Sequence, residues 1–288
     1  MAPRQSSPSL YGSSKLCCLA TPLSPSSMIE IDSLTKLAEG KTKVIFANPS
    51  DSDSVIMYLK DDITAGDGLK HDVIPGKAIV DWRVNRDTFE LFNSVGLPTH
   101  YISSPQEKVV FVKKLQRKIN LEVVSRRVAT GSIIRWGLVE EGTRFDPVVT
   151  EFYYKDDILH DPKLDDRYVD LLINVKGSTE FRTMREVNAQ AFDVLESAFA
   201  QQGFQLVDFK LEYGIIDGRV CIIDEVSAGS LRLWPYGEGP INLKQKNVLS
   251  VLCPDGRLDK DIYRRGESLD KVMSGFQRVA ELTGRFQN

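Results

Sequence analysis

Apolar and polar positions alternate at a period of two through several short stretches of this chain. Through three longer stretches the apolar positions recur every three to four residues. Leu37 to Phe46 reads as a glycine turn leading into an apolar strand, with Val55–Lys60 as its antiparallel partner. Asp61 to Gly68 reads as a loop, and Lys77–Val95 as an amphipathic helix closed by Gly96 and Pro98. Short strands follow at Thr99–Ser103, Val109–Lys114, Leu121–Val128 and Thr150–Tyr154, with a helix start capped by Thr or Ser over Thr130–Trp136. Lys155–Asp166 is a charged loop. Glu180–Gln202 carries the clearest helical stripe, formed by Val187, Ala191, Val194, Leu195, Ala198 and Phe199. Leu206 to Val226 is a hairpin turned at Asp217-Gly218, and Asp259–Leu282 closes the chain as helix. Strands run first and helices join later, which predicts an α+β fold of two lobes dividing near Ser104–Val128. No internal repeat is present.

Composition narrows the function classes. A chain of 288 residues can bury a large core. Its net charge of −3 provides no global basic field for nucleic acid, and no apolar run approaches the ~20 residues of a membrane helix. Four cysteines and three histidines show no metal-ligand spacing, which argues against a structural zinc site or a disulfide framework. We expect a cytoplasmic protein with small-molecule partners, no nucleic acid and no membrane, and leave a homo-oligomer open. Residues 1–27 stand apart: they are rich in Ser and Pro, carry Arg4 and Lys15, and contain no acid. They read as an organellar targeting segment, a disordered tail, or a stretch ahead of a start at Met28.

Candidate chemistry concentrates in the hairpin. Asp208, Lys210 and Glu212 fall at alternate positions and project from one face, while Val207, Phe209, Leu211 and Tyr213 take the other. On the second strand Ile222 and Asp224 share a face, and Asp224 is expected across from Glu212 with the Lys210 ammonium between the carboxylates. Paired carboxylates of this kind suit Mg²⁺ carrying a phosphate. The alternative is a solvated outer face, which charged alternation more often marks. Arg232 and Trp234 follow an Ala-Gly-Ser turn just beyond and add anion-type ligands.

Two further clusters point to anions. Gly40-Lys41-Thr42-Lys43 opens a hairpin where backbone N–H groups can approach a phosphate, although the P-loop spacing is missing. A turn with an exposed lysine pair is the alternative. Arg126 leaves a strand ahead of Gly131-Ser132, a plausible phosphate or carboxylate clamp, or else a surface arginine beside a helix cap. Lys155 and Asp161 lie in a polar loop that a turn explains nearly as well. No nucleophile motif occurs, so the chemistry is one of positioning and charge neutralisation.

Taken in order, these motifs resemble the SAICAR synthetases. The likeness rests on Leu37 to Lys43, Asp62 to Gly68, Arg126 to Ser132, His160-Asp161-Pro162, Val207 to Gly214 and Asp224 to Trp234, and covers about residues 35–285. It implies a two-lobed SAICAR synthase-like α+β fold related to ATP-grasp and protein-kinase nucleotide sites. Residues 28–115 would form a β-rich ATP-binding lobe and residues 116–288 an α+β lobe holding the CAIR, Mg²⁺ and aspartate site. The implied activity is an ATP- and Mg²⁺-dependent joining of the CAIR carboxylate to the amino group of L-aspartate. Its products are SAICAR, ADP and phosphate, within purine (IMP) biosynthesis. The resemblance implies Lys210, Asp208 and Arg232 as catalytic residues. It sets Gly40, Lys41, Lys43, Lys114 and Glu212 at ATP, and Arg126, Ser132, Lys155, Asp161 and Arg232 around the other substrates. Glu212 and Asp224 would hold Mg²⁺.

This chain departs from the bacterial pattern after Ser227. It reads Ala228-Gly229-Ser230-Leu231-Arg232-Leu233-Trp234-Pro235, without the loop acid and with Pro following Trp234. It ends at Asn288, leaving no room for the carboxylase domain fused in animals, and we expect a stand-alone synthetase. Another ATP-using ligase, a small-molecule kinase, or a non-catalytic nucleotide-binding module are the competing readings.

Overall fold

A computed structural model describes residues 28–65, 69–135, 137, 139–156, 158–172, 180–236 and 256–286. The expectations for residues 1–27, for the tip of the Asp61–Gly68 loop and for Trp136 fall outside these described residues. In chain order the first half forms β1 (Lys36–Glu39), β2 (Lys43–Ala47), β3 (Ser54–Leu59), β4 (Asp62–Ala65), β5 (Lys70–Val73), α1 (Lys77–Ser94), β6 (Tyr101–Gln106) and β7 (Val109–Lys113). Five of these strands make an antiparallel sheet in the order β1-β2-β3-β7-β6. Trp82 ties α1 to this sheet, its Nε1 donating to the Val109 carbonyl at 3.2 Å. The segment read as a loop is instead the hairpin β4–β5, with Ile63 buried beneath it. Its flanking Asp and Gly residues mask a run too short to show alternation.

The second half builds a sheet from β8 (Arg117–Val128), β9 (Arg144–Tyr154), β10 (Lys163–Leu164), β11 (Phe204–Ile216), β12 (Arg219–Ile223) and β13 (Leu231–Pro235). Its order is β10-β9-β8-β11, and β13 and β12 share the far edge of β11. β13 pairs with Phe204–Phe209, whereas β12 pairs with Glu212–Ile216. β11 is therefore paired on both edges at Asp208 and again at Glu212. That removes the solvated-face alternative for its charged residues: Asp208 and Glu212 are buried. A bulge between Leu206 and Asp208 also corrects the expected faces. Val207 leaves the face of Phe209 and Leu211 and packs with Val128 and Trp234.

Helices α2 (Asp166–Leu172), α3 (Glu180–Ala200), α4 (Asp261–Arg264) and α5 (Leu269–Thr283) complete the described fold. The stripe on α3 covers the second sheet, where Phe192 stacks on Phe209 with centroids 5.4 Å apart. The closing helix is broken in two at Gly266, whose φ of +85° no side-chain-bearing residue adopts cheaply. Ser268 then caps α5 by accepting from the Lys271 N–H. Gly131–Ile134 forms a single 3₁₀ turn without a side-chain cap in place of the expected helix start, because Thr130 donates to Glu141 instead. One apolar core runs from Met57 and Phe89 under the first sheet to Leu211 and Phe276 under the second. The segment 98–100 stitches the two together, with Thr99 paired in parallel to Ile222 of β12. No helix of the described residues is long and apolar enough to cross a membrane.

Candidate active site

The site is built on β11 and its neighbours. Asp208 lies directly opposite Arg126 of β8 on one side and Arg232 of β13 on the other. Both arginines donate to its carboxylate, and Arg232 Nη1 reaches the two oxygens at 3.0 and 2.7 Å. Arg126 also donates from Nε to Glu151 at 2.6 Å and from Nη2 to Ser132 Oγ at 3.0 Å. Arg232 is gripped from behind by Asp261, at 2.8 and 3.2 Å. Burial pushes the Asp261 carboxyl up, but Arg232 and Arg264 outweigh it and bring the value to about 2. Gly131 is the residue this packing permits: a Cβ there would stand 2.9 Å from Arg232 Nη2. The two guanidinia are fixed before any ligand arrives, with Ser132 beside them.

Further along the strand, Glu212 pairs directly with Glu122 of β8. Like charges in register destabilise a sheet unless cations separate them. Here Lys210 donates to Glu122 at 2.7 Å and stands 3.7 Å from Glu212 Oε1. Lys155 bonds Glu212, and Lys118 Nζ lies 2.9 Å from Glu212 Oε2. Desolvation and the nearby Asp224 raise the Glu212 carboxyl above the usual range. Asp224 goes the other way: burial opposes ionisation, yet Lys43 and a hydrogen bond from Glu212 hold it well below its ordinary value. Burial opposes the Lys43 ammonium too, and the Asp224 and Glu225 carboxylates raise it. Lys43 ion-pairs with both, while Thr42 Oγ1 donates to Glu225 at 2.7 Å.

Two expectations are corrected by this geometry. Lys210 does not sit between Glu212 and Asp224; it bridges toward Glu122, because β8 supplies the nearer carboxylate. Asp224 is not a strand residue facing Glu212 in register. β12 ends at Ile223, which is the residue opposite Glu212, and Asp224 follows in a left-handed turn with φ +71° that brings its carboxyl to Glu212.

A cleft of about 1000 Å³ opens over the second sheet. It gathers Arg126, Ser132, Asp161, Asp208, Lys210 and Arg232, and does not include Lys43, Lys155, Glu212 or Asp224. Lys210 and its partner Glu122 are common to the cleft and the carboxylate cluster. Asp161 serves its own loop as well, accepting from the Asp156 N–H at 2.9 Å. Lys41 is exposed, and the Gly40 N–H closes the turn on the Lys43 carbonyl at 2.8 Å. Lys114 is exposed beyond β7; among the described residues no ion pair joins it to the cluster. Glu122, Lys118, Glu225, Asp261 and Lys260 escaped the sequence reading. The alternation Glu122-Val124-Arg126 mirrors Asp208-Lys210-Glu212 and was the available signal for the first of these.

Among the described residues no group of three or more His, Cys, Asp or Glu could enclose a metal. Glu212, which is buried, and Asp224, which is partly so, offer two hard-oxygen ligands in a cation-rich setting. That set fits Mg²⁺, which keeps several waters and takes phosphate oxygens alongside one or two carboxylates.

Residues 36–282 match the SAICAR synthetase family profile. The phosphoribosylaminoimidazole-succinocarboxamide synthase of Herpetosiphon aurantiacus is 38% identical over 262 residues, which is 88% of this chain and 98% of that protein. The structure of the synthase from Ehrlichia chaffeensis superposes with a TM-score of 0.74 at 30% identity, covering 86% of this chain and 98% of that one. A SAICAR synthetase solved in complex with ADP gives a TM-score of 0.71 at 30% identity, with coverages of 85% and 96%.

Proposed function

The chain belongs to the SAICAR synthetase family, and we propose that it joins the carboxylate of CAIR to the amino group of L-aspartate as ATP becomes ADP and phosphate. This is a carbon–nitrogen ligase reaction of IMP biosynthesis. Residues 28–115 are taken as the ATP-binding lobe and residues 116–288 as the lobe for the other substrates. Arg126, Ser132 and Arg232 hold the phosphate and carboxylate of CAIR in the cleft. Asp208 positions the two guanidinia and touches no reacting atom. Lys43, below the Gly40 turn, meets the nucleotide phosphates together with Lys41.

Lys210 neutralises the phosphoryl group as it passes from ATP to the CAIR carboxylate oxygen. The amine of aspartate then attacks the carboxyl carbon, the C–O bond to phosphate breaks, and a proton leaves the nitrogen. Glu212 and Asp224 hold Mg²⁺, which when bound offsets repulsion between the CAIR carboxylate and the phosphates. The observation that carries this reading is the position of Lys210. Its ammonium lines the anion-binding cleft and stands 3.7 Å from Glu212, so one cation serves both halves of the site.

The test is ADP release by the purified protein with ATP, Mg²⁺ and CAIR, with and without L-aspartate, alongside mass detection of SAICAR. Equal ADP and SAICAR, formed only with aspartate, is the expected result. ADP without SAICAR would point to another acceptor, and no ADP would end the ligase reading.

A further inference from the structure

Asp224 owes its place to an unusual backbone. Ile223, the last residue of β12, lies opposite Glu212. Had the strand continued in register, Asp224 would lie opposite Leu211, on the apolar face shared with Ile222 and away from Glu212. The chain turns at that residue instead, with φ +71°. A left-handed conformation is unfavourable for a side-chain-bearing residue and persists only where the surroundings fix it.

Lys43 and Glu212 meet the Asp224 side chain, and His100 meets its backbone. Its imidazole is buried, and Nε2 lies 3.1 Å from the Asp224 carbonyl. A carbonyl only accepts, so Nε2 carries the proton. The backbone of the same residue is held on both sides: its N–H donates to the Ile222 carbonyl at 2.9 Å, and its carbonyl accepts from Lys113 at 2.8 Å. The Ile222 N–H in turn donates to the Pro98 carbonyl at 2.8 Å. The Phe89 ring closes one side, 5.2 Å from the imidazole centre. The ring is therefore a fixed donor at the junction of the two sheets.

We propose that His100 is a positioning residue: its Nε2–H bond to the Asp224 carbonyl holds the left-handed turn and so sets the Glu212–Asp224 pair for a divalent cation carrying nucleotide phosphate. The inference rests on the proposed nucleotide-dependent function and adds the device that orders its carboxylates.

The test compares His100→Leu, which keeps bulk and loses the donor, with His100→Gln, whose amide N–H can replace Nε2–H. Mn²⁺ binding by electron paramagnetic resonance and Mg²⁺·ADP binding by calorimetry are the readouts, with KM for CAIR as the internal control. The leucine variant is expected to bind both ligands about tenfold or more weakly with an unchanged KM for CAIR, and the glutamine variant to recover most of the loss. Binding by the leucine variant within about twofold of the parent, or a glutamine variant as weak as leucine, overturns the proposal. Should the leucine variant fail to fold, nitrogen–proton correlation of the parent decides. A slowly exchanging proton on Nε2 is expected, and a proton on Nδ1 alone is incompatible with it. Absence of Mg²⁺·ADP binding by the parent protein would instead overturn the nucleotide reading, and the inference with it.

Discussion

Arg232 donates from one nitrogen to both carboxylate oxygens of Asp208, at 3.0 and 2.7 Å, across the β11–β13 pair. Arg126 approaches the same carboxylate from β8, so a single buried negative charge separates two guanidinia. Removing that charge leaves the guanidinia facing each other with one carboxylate each, Glu151 for Arg126 and Asp261 for Arg232. Asp208→Asn is expected to lower unfolding free energy by about 3 kcal/mol, the scale of breaking one side of a buried ion pair. Urea denaturation reads this directly. As Asp208 positions its neighbours, KM for CAIR should rise more than kcat falls; an unchanged KM with lost kcat would make it a reacting group.

Lys210 performs two tasks that a double variant separates. It offsets charge at the reacting centre, and it stands between Glu122 and Glu212, which face each other in register. Lys210→Ala is expected to cost about 3 kcal/mol of transition-state stabilisation. It should also destabilise the fold, because the opposed glutamates lose one of their two shared cations and keep Lys155. Adding Glu122→Gln should restore the melting temperature and leave turnover low. Recovery of turnover along with stability would reduce Lys210 to a structural role.

How far the chain could be read in advance follows from where each signal lies. The Asp208-Lys210-Glu212 alternation was visible because a strand puts alternate residues on one face. Its burial was not, since only the pairing of β11 with three neighbours removes the solvated alternative. Arg126 and Arg232 stood out as arginines beside glycine and serine, yet their common partner Asp208 depends on registers between strands far apart in sequence. The misplacement of Asp224 has the same origin: a one-residue difference in register reverses a side chain, and only the turn at φ +71° returns it to Glu212. The β4–β5 hairpin was hidden by its own turn-forming residues.

Glu212 gives a pH-dependent prediction. Desolvation and Asp224 raise its folded value above that of the unfolded chain. The folded state then binds more protons in the window between the two values. Its contribution to stability is complete below the unfolded value and is lost as pH rises through the folded one. Glu212→Gln should flatten that fall in thermal melts of the ligand-free protein. The same variant should need more Mg²⁺ for turnover; an unchanged Mg²⁺ titration would remove Glu212 from the cation site.

Lys260 offers the sharpest trade between stability and function. It lines the cleft just ahead of α4, its Cδ close enough to lie 3.4 Å from a Cβ added at Gly229. Among the described residues its ammonium has no hydrogen bond or ion pair. Burial lowers it to about 8, reinforced by Arg264, Lys77 and Lys210 and opposed by Asp81. Asp81 is already engaged by Lys77 at 2.5 Å. Because the folded value is depressed, the unfolded chain binds more protons between about 8 and the ordinary lysine value, and stability rises with pH across that window. At pH 7 the folded protein bears the whole penalty. Lys260→Met should therefore raise stability at pH 7 by roughly 1 kcal/mol, a figure reduced for solvent screening of a partly exposed group. It should also flatten the alkaline rise. An uncompensated ammonium beside Lys210 is a receptor for substrate anions, so the more stable variant should show a higher KM for CAIR or L-aspartate. Urea titrations at pH 7 and pH 9.5, with steady-state kinetics, decide both parts. A variant that melts earlier and keeps the parent's pH slope would show that Lys260 is paired in solution.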